Sequence, residues 1–152
     1  MEKILAIACD HGGYELKNEI IEHLKKQGIA YKDFGSYSTE SVNYPDYAKL
    51  LCQAIQSGEC YRGILVCGTG IGMSMAANKH RGIRAACASD AFSVKFTRMH
   101  NDANVLCLGG RVVGTGLGLE LCDIFINTEF EGGRHQARVD MISEIEKSEA
   151  AK

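Results

Sequence analysis

The stretch that decides the fold of this chain is Ile64-Leu-Val-Cys-Gly-Thr-Gly-Ile-Gly-Met-Ser-Met-Ala-Ala-Asn78. Its apolar start predicts a buried strand, its glycines predict a tight turn, and residues 73–79 predict the helix that follows. In an open α/β sheet, ligands bind beyond the carboxyl ends of the strands, where a helix start presents free N–H groups to anions. Because Cys67 stands where the strand becomes the helix, the sequence places a thiol at the expected ligand site.

Three roles are open to Cys67: a nucleophile, a base or an inert thiol of the core. The positive end of a helix favours a thiolate, which is the reactive form of cysteine. A base next to a substrate carbonyl would create an enediolate, whose oxygen could be held by the backbone N–H groups of residues 68–74. The alternative for Thr69 and Ser74 is that their hydroxyls only satisfy the backbone of the turn.

The pattern of strand followed by helix recurs along the rest of the chain. Strands are predicted over residues 3–9, 29–34, 62–67, 82–88 and 103–108, each followed by a helix. Five such alternations predict a three-layer, doubly wound, Rossmann-like α/β domain with a five-stranded parallel sheet and right-handed crossovers. We therefore expect residues 1–131 to form the α/β domain. Residues 132–152 are expected to form a C-terminal helical tail. Its apolar side chains need cover, either by packing on its own domain or by packing at a dimer interface with a second subunit.

The apolar spacing of two helices predicts which side chains face the core. In the helix that begins near Pro45, these are Tyr47, Leu50, Leu51, Ala54 and Ile55. In the helix after Asp90, which Asp90 is expected to cap, they are Phe92, Phe96 and Met99.

The composition excludes several classes of protein. A net charge of -2 argues against a general binder of nucleic acid or membrane surfaces. No segment reaches the roughly 18 apolar residues of a membrane span, and the first ten residues lack the pattern of a signal peptide, so we expect a cytoplasmic protein. The 7 cysteines form no C-x-x-C pair and the 5 histidines show no zinc-site spacing. We therefore expect reduced, buried cysteines, no metal and no cofactor.

The glycine turn does not match the common phosphate-binding motifs. It lacks the G-x-G-x-x-G spacing and follows the third strand, although Asp90 stands at a distance that suits a ribose contact. The P-loop sequence is absent, and Met73 occupies the position of the arginine in a cysteine phosphatase. A nucleotide-binding module without catalysis stays open as an alternative, and a thiol redox protein is weakened because Cys67 has no resolving cysteine nearby.

Two further pairs of polar residues could join Cys67. Asp10 and His11 close the first strand at the same sheet edge as Cys67, although Asp10 could merely cap the next helix. His100 and Asn101 lie at the end of a helix, where a histidine is common because its charge is favourable there.

Arginines supply a third group of candidates. Arg134 and Arg138 share a helix face one turn apart and could bind a phosphate together with Arg111. The alternative is a solvated basic face that pairs with Glu131 or Asp140. An acid-base pair, an oxyanion turn and phosphate-binding arginines together indicate an isomerase of a phosphorylated sugar.

Six motifs in order give the chain a resemblance to a known family. They are Cys-Asp-His at 9–11, Tyr-Pro-Asp-Tyr-Ala at 44–48, Cys-Gly-Thr-Gly-Ile-Gly at 67–72, Ala-Ala-Asn-Lys at 76–79, His-Asn-Asp at 100–102 and Gly-Gly-Arg-His-Gln-x-Arg at 132–138. Over about residues 3–146 the chain resembles the ribose-5-phosphate isomerase B family. The resemblance implies a metal-independent interconversion of ribose 5-phosphate and ribulose 5-phosphate in the non-oxidative pentose phosphate pathway. It also implies a homodimer, which can pair into a dimer of dimers, with the site at the subunit interface and the tail crossing between subunits.

The resemblance also implies a role for each candidate residue. His100 would help to open the furanose ring, and Cys67 would move the proton between C2 and C1, with Thr69 beside it as a further catalytic residue. The N–H groups that hold the enediolate oxygen would belong to Gly68, Thr69, Gly70, Ile71, Gly72 and Ser74. Sugar oxygens would contact Asp10, His11 and Asn101, with Tyr44 nearby. The phosphate would be bound by Arg111, Arg134 and Arg138, with His11 assisting.

Two variations within the family bear on this chain. One branch lacks the cysteine and uses a glutamate in the glycine loop as base, but that position is Met73 here, so only Cys67 can carry the proton. Close relatives isomerise allose 6-phosphate or galactose 6-phosphate, and the motifs do not exclude a six-carbon substrate. The distance between phosphate and thiol sets the substrate length, and sequence does not give that distance.

Overall fold

Strand and helix alternate along the chain in the computed structural model, which describes residues 2–152. The elements are β1 Leu5–Cys9, α1 Tyr14–Gln27, β2 Tyr31–Asp33, α2 Tyr44–Gln56, β3 Arg62–Cys67, α3 Ile71–Ala77, β4 Ala85–Cys87, α4 Ala91–Asn101, β5 Val105–Gly109, α5 Thr115–Asn127 and α6 Arg134–Ala150. Within this range no helix combines the length and the apolar character needed to cross a membrane.

The five strands form one parallel sheet in the order β2-β1-β3-β5-β4. The inner strands β1, β3 and β5 are buried along their whole length, as expected of a sheet covered on both faces. Helices α1, α4 and α5 pack on one face, and α2 and α3 pack on the other. The predicted three-layer, doubly wound α/β fold is therefore confirmed.

The core-facing side of two helices differs from the prediction. Leu50 is 45% exposed and Phe92 is 70% exposed. In α2 the smaller Ala48 and Cys52 are buried instead, which lets the helix pack closely on its neighbours. In α4 the buried positions are Val94 and Arg98, because this helix covers only the edge of the sheet.

The cysteines also depart from the expectation in one case. All seven are free thiols, and six of them are buried. Cys87 is exposed, because it lies on β4, the edge strand of the sheet. Burial raises the pKa of the Cys52 thiol to about 12, so this cysteine is an inert, protonated member of the core.

Candidate active site

The turns after β1 and β3 meet at the switch point of the sheet, where chain connections leave in opposite directions. They touch through glycines: a Cβ on Gly12 would lie 2.9 Å from the backbone N of Gly68. A Cβ on Gly13 would lie 2.3 Å from the carbonyl oxygen of Val66. Only glycine permits this approach, which brings Asp10 and His11 beside the Cys67 turn.

Cys67 lies at the end of β3 and is only 4% exposed. The backbone N–H of Gly70 donates to its Sγ over 3.1 Å. Gly70 has a φ of 80°, and a Cβ there would come within 2.9 Å of the Leu108 carbonyl carbon. The turn therefore depends on glycine at this position, and it aims a backbone donor at the thiol.

The two hydroxyl side chains of the turn bond within it. Thr69 Oγ1 accepts from the N–H of Ile71 over 3.2 Å. Ser74 Oγ donates to the carbonyl oxygen of Ile71 over 2.7 Å. Both hydroxyls therefore hold the local backbone, as the simpler alternative had it, and a role for either in catalysis stays a prediction.

Asp10 and His11 are anchored to their surroundings by single hydrogen bonds. The Asp10 carboxylate is buried, and its Oδ1 accepts from the N–H of Gly12 over 2.9 Å. The N-cap of α1 is Gly13 and receives no side-chain bond, so the interpretation of Asp10 as a helix cap is wrong. His11 Nδ1 accepts from the N–H of Val42 over 3.2 Å, so the neutral ring carries its proton on Nε2.

Two exposed side chains flank the glycine turn. The Tyr44 ring covers Gly72, where a Cβ would lie 2.9 Å from the ring's Cζ. On the other side, Arg111 Nη1 lies 3.4 Å from where a Cβ on Gly68 would be. Arg111 is fixed there because its backbone N–H donates to the carbonyl oxygen of Gly68 over 3.0 Å.

His100 and Asn101 lie at the amino edge of the sheet, where the parallel strands begin, whereas Cys67 lies at the carboxyl edge, where they end. Helix α4 starts at the carboxyl edge after β4 and returns to the amino edge, where β5 begins. Its 11 residues span about 16 Å at the usual helical rise. One chain therefore does not bring His100 to Cys67.

The end of α4 is held rigidly by two arginines. Asp102 adopts a left-handed conformation with φ of 46°. Its carboxylate accepts from Arg98 Nη1 over 2.9 Å and lies 3.3 Å from Arg84 Nη2. Arg84 Nε also donates to the carbonyl oxygen of Asn101 over 3.0 Å. These bonds provide donors for carbonyl groups at the end of the helix and fix the backbone that carries His100.

A pair of stacked histidines occupies this amino edge. The rings of His100 and His135 lie 4.0 Å apart and within 11° of parallel, and Phe96 meets His100 edge-on at 5.0 Å. Glu131 Oε2 lies 3.2 Å from His135 Nε2 and 3.8 Å from His100 Nε2. Burial lowers the pKa of His135, and the nearby charges of His100 and Arg134 lower it further.

The sequence interpretation missed Glu131 and His135 as members of this group. Their spacing of four residues and the Gly-Gly-Arg-His motif were the available signals. The sequence pattern suggests Glu131 only as a partner for Arg134 and Arg138. The carboxylate contacts the histidines instead, and Asp140 accepts from Gln136 Nε2 over 2.8 Å.

These three residues form the one group within residues 2–152 with the composition of a metal site. The ligand atoms of His100, Glu131 and His135 all lie within 4.8 Å of one another. A tetrahedral ion needs ring nitrogens whose lone pairs converge, whereas stacked parallel rings direct them side by side. The arrangement fits a hydrogen-bonded histidine pair better than a preformed metal site, and the absence of a metal stays a prediction.

A sizeable groove lies away from Cys67. It has a volume of about 1100 Å³ and lies between α6 and the β4–α4 region, with Arg84, Asn101 and Ile145 in its wall. The Cys67 turn lies at the opposite, carboxyl edge of the sheet, where the strands end. Arg134 and Arg138 begin α6, beside His100, so the candidate phosphate ligands are divided between the two edges.

Comparison with known proteins identifies the family. The model of the Ribose/Galactose Isomerase family matches residues 5–142. Ribose-5-phosphate isomerase B of Escherichia coli is 47% identical over 144 residues, which cover 95% of this chain and 97% of that protein. Ribose-5-P isomerase B of Listeria innocua is 44% identical over 142 residues, covering 93% and 96% of the two chains.

Solved structures agree in both fold and sequence. Ribose-5-phosphate isomerase B of Clostridium thermocellum superposes with a TM-score of 0.94 at 52% identity, over 95% of this chain and 98% of that one. The Mycoplasma genitalium enzyme, solved with bound ribulose 5-phosphate, gives 0.92 at 40% identity, over 97% and 98%. The chain therefore belongs to the Ribose/Galactose Isomerase family.

Proposed function

We propose that this chain interconverts ribose 5-phosphate and ribulose 5-phosphate through an enediolate. The observation that carries the proposal is Cys67, held at the switch point of the sheet with the Gly70 N–H aimed at its sulfur. A thiolate there can remove a proton next to a carbonyl, and the N–H groups of the turn can donate hydrogen bonds that stabilise the negative charge developing on oxygen. Relatives named ribose-5-phosphate isomerase B support this choice of reaction.

The reaction proceeds in two steps that balance without a cofactor. In the first, the C1–O4 bond of the furanose breaks, O4 gains a proton, and the C1 hydroxyl loses its own to become an aldehyde. We assign this transfer to His100. In the second, Cys67 removes the proton from C2, and the resulting enediolate is protonated at C1. Loss of the proton from the O2 hydroxyl and gain of a proton at O1 then yield the ketose. Thr69 stands two residues after Cys67 in the same turn.

We propose that the complete site forms between two copies of the chain. His100 and Cys67 lie at opposite edges of one sheet, so a partner is needed to bring them together. Residues 132–152 would contribute to this interface as the tail of an otherwise single domain. On α6, Met141, Ile142 and Ile145 are 66%, 48% and 62% exposed, and a second subunit would cover them.

The same arrangement assigns the substrate contacts. Arg111 on one chain and Arg134 and Arg138 on the other would bind the phosphate, since multiple guanidinium N–H groups suit a phosphate. Asp10 and the Nε2–H of His11 would contact sugar oxygens, with Tyr44 closing one side and Asn101 entering from the partner.

The test is formation of ribulose 5-phosphate from ribose 5-phosphate by the purified protein in excess chelator. Allose 6-phosphate and galactose 6-phosphate are assayed beside it, because the family model covers galactose isomerases as well. Turnover of the pentose supports the proposal. Turnover of a hexose alone would keep the mechanism and change the substrate.

A nucleotide-binding module without catalysis is the outcome that would overturn the proposal. Titration with NAD and ATP detects it, and tight binding of either without isomerisation of any sugar phosphate would favour it.

A cytoplasmic location is part of the proposal, because seven free thiols suit a reducing compartment. Cell fractionation with an antibody against the chain tests the location.

A further inference from the structure

The contacts around His100 reach beyond the residues that would touch substrate. We propose that Glu131 and His135 are positioning residues, which hold the His100 imidazole in the orientation needed for opening the sugar ring. This inference rests on the proposed function and deepens it. It concerns the first step of the reaction only.

His135 is suited to orient its neighbour because it is itself fixed. The residue is 6% exposed, near the start of α6, and its ring stacks on His100 at 4.0 Å. Phe96 meets His100 edge-on at 5.0 Å. The His100 ring therefore has limited freedom to rotate, while the imidazole keeps enough exposure to reach a substrate from a partner subunit.

Glu131 fixes the stack from its edge. Its Oε2 lies 3.2 Å from His135 Nε2, which is hydrogen-bond distance, but 3.8 Å from His100 Nε2, which is too long. The backbone N–H of Glu131 donates to the carbonyl oxygen of Met99 over 3.1 Å, and Met99 is the residue before His100. Glu131 therefore links the tail to the end of α4 and acts on His100 through His135.

The chemistry separates this role from that of Cys67. Ribose 5-phosphate is a furanose and must open before its C2 proton can move. Ribulose 5-phosphate stays open, because the hydroxyl that could close a furanose on C2 carries the phosphate. Exchange of its C1 proton with solvent therefore requires Cys67 and the enediolate, and it does not require ring opening.

The experiment measures both reactions on the purified, full-length protein. Ribose 5-phosphate conversion is followed by ribulose 5-phosphate formation, and C1 exchange of ribulose 5-phosphate is followed by proton NMR in D₂O. We expect E131A and H135A to lower kcat for conversion by about tenfold or more, as a misdirected acid-base group would. Exchange should stay within about twofold of wild type, since no acid-base group of that step is changed.

Four further variants make the outcome decisive. E131Q keeps an oxygen acceptor for His135 and should recover part of the lost conversion. H100A should reproduce the selective loss, and C67A should abolish both reactions. E129A removes an exposed carboxylate two residues away, which pairs loosely with Arg62 at 3.8 Å, and should leave both rates unchanged.

Equal losses of conversion and exchange in E131A and H135A would overturn the inference and leave only a structural role, and so would no loss in either. If E131A fails to fold, E131Q and H135A carry the comparison. A wild-type protein that performs neither reaction overturns the proposed function itself, so the two failures are distinct.

Discussion

Cys67 combines burial with a directed backbone donor. It is 4% exposed, with the Gly70 N–H at 3.1 Å from the sulfur. We predict that C67A lowers turnover of ribose 5-phosphate by on the order of 10²–10⁴-fold, because the group that moves the proton is removed. Substrate binding, measured by calorimetry, should persist, because the phosphate and sugar contacts do not involve this side chain.

Cys87 provides the matched control for Cys67. Its thiol lies near the same turn and approaches the carbonyl oxygen of Thr69 at 3.7 Å, but it is exposed on the edge strand. C87A should keep most of the wild-type turnover. Substantial activity in C67A would show that another group moves the proton.

The lowered pKa of His135 should make the stability of the folded protein depend on pH. Its pKa in the folded protein is lowered by burial and by the charges of His100 and Arg134, so the unfolded chain binds the proton more strongly. Stability should therefore fall as the pH drops below about 6.5, the ordinary histidine value, and level off below the folded pKa.

The measurement is urea denaturation of wild type and H135Q between pH 5 and pH 8, where about 6.5 marks the expected onset. The variant should lose less stability on acidification than wild type. Equal losses of stability on acidification in the two proteins would mean that groups other than His135 cause the loss.

At the scale of elements, α1 is anchored by a buried charge. Lys17 Nζ lies 2.8 Å from Asp33 Oδ1 and donates to the carbonyl oxygen of Ser36 over 2.6 Å. This joins α1 to the segment after β2. We predict that K17M destabilises the fold by about 2–4 kcal/mol, because it leaves a partly buried carboxylate and a carbonyl without their donor.

Chemical denaturation tests this contribution, with K26M as the control. Lys26 lies on the same helix but is exposed in its last turn, so its replacement should change stability by less than about 0.5 kcal/mol. Equal stabilities of the two variants would show that the Lys17 contacts contribute little.

At the scale of the whole molecule, the separation of Cys67 from His100 predicts complementation between inactive chains. C67A and H100A should each be inactive as homodimers. In a mixed dimer, one of the two shared sites would hold an intact Cys67 and an intact His100. Random pairing of equal amounts should therefore restore about a quarter of the wild-type activity.

Co-expression of the two variants with different affinity tags, followed by tandem purification, isolates the mixed dimer, which should show about half of the wild-type activity because one of its two sites is intact. Each variant purified alone is the control. A mixed dimer without activity would mean that both groups act within one chain, and a protein that sediments as a monomer would exclude the shared site.

Local sequence determined most of the fold. The run 62–67 matches β3 residue for residue, Gly28 ends α1 in a left-handed conformation, and Asp90 caps α4 through the N–H of Ser93. These features depend on apolar periodicity and on the chemistry of turns, which act over a few residues. The sequence also predicted that the Cys67 thiol and the residues at the end of β1 share one edge of the sheet, because both follow the carboxyl ends of parallel strands.

Only the tertiary structure decided the features that depend on distant contacts. The burial of Lys17 depends on Asp33, 16 residues away, and the exposure of Phe92 depends on the position of α4 at the sheet edge. The Glu131 and His135 contacts with His100 arise because α6 folds back on the end of α4. Sequence spacing carries no information about such packing, since it records neighbours along the chain and not across space.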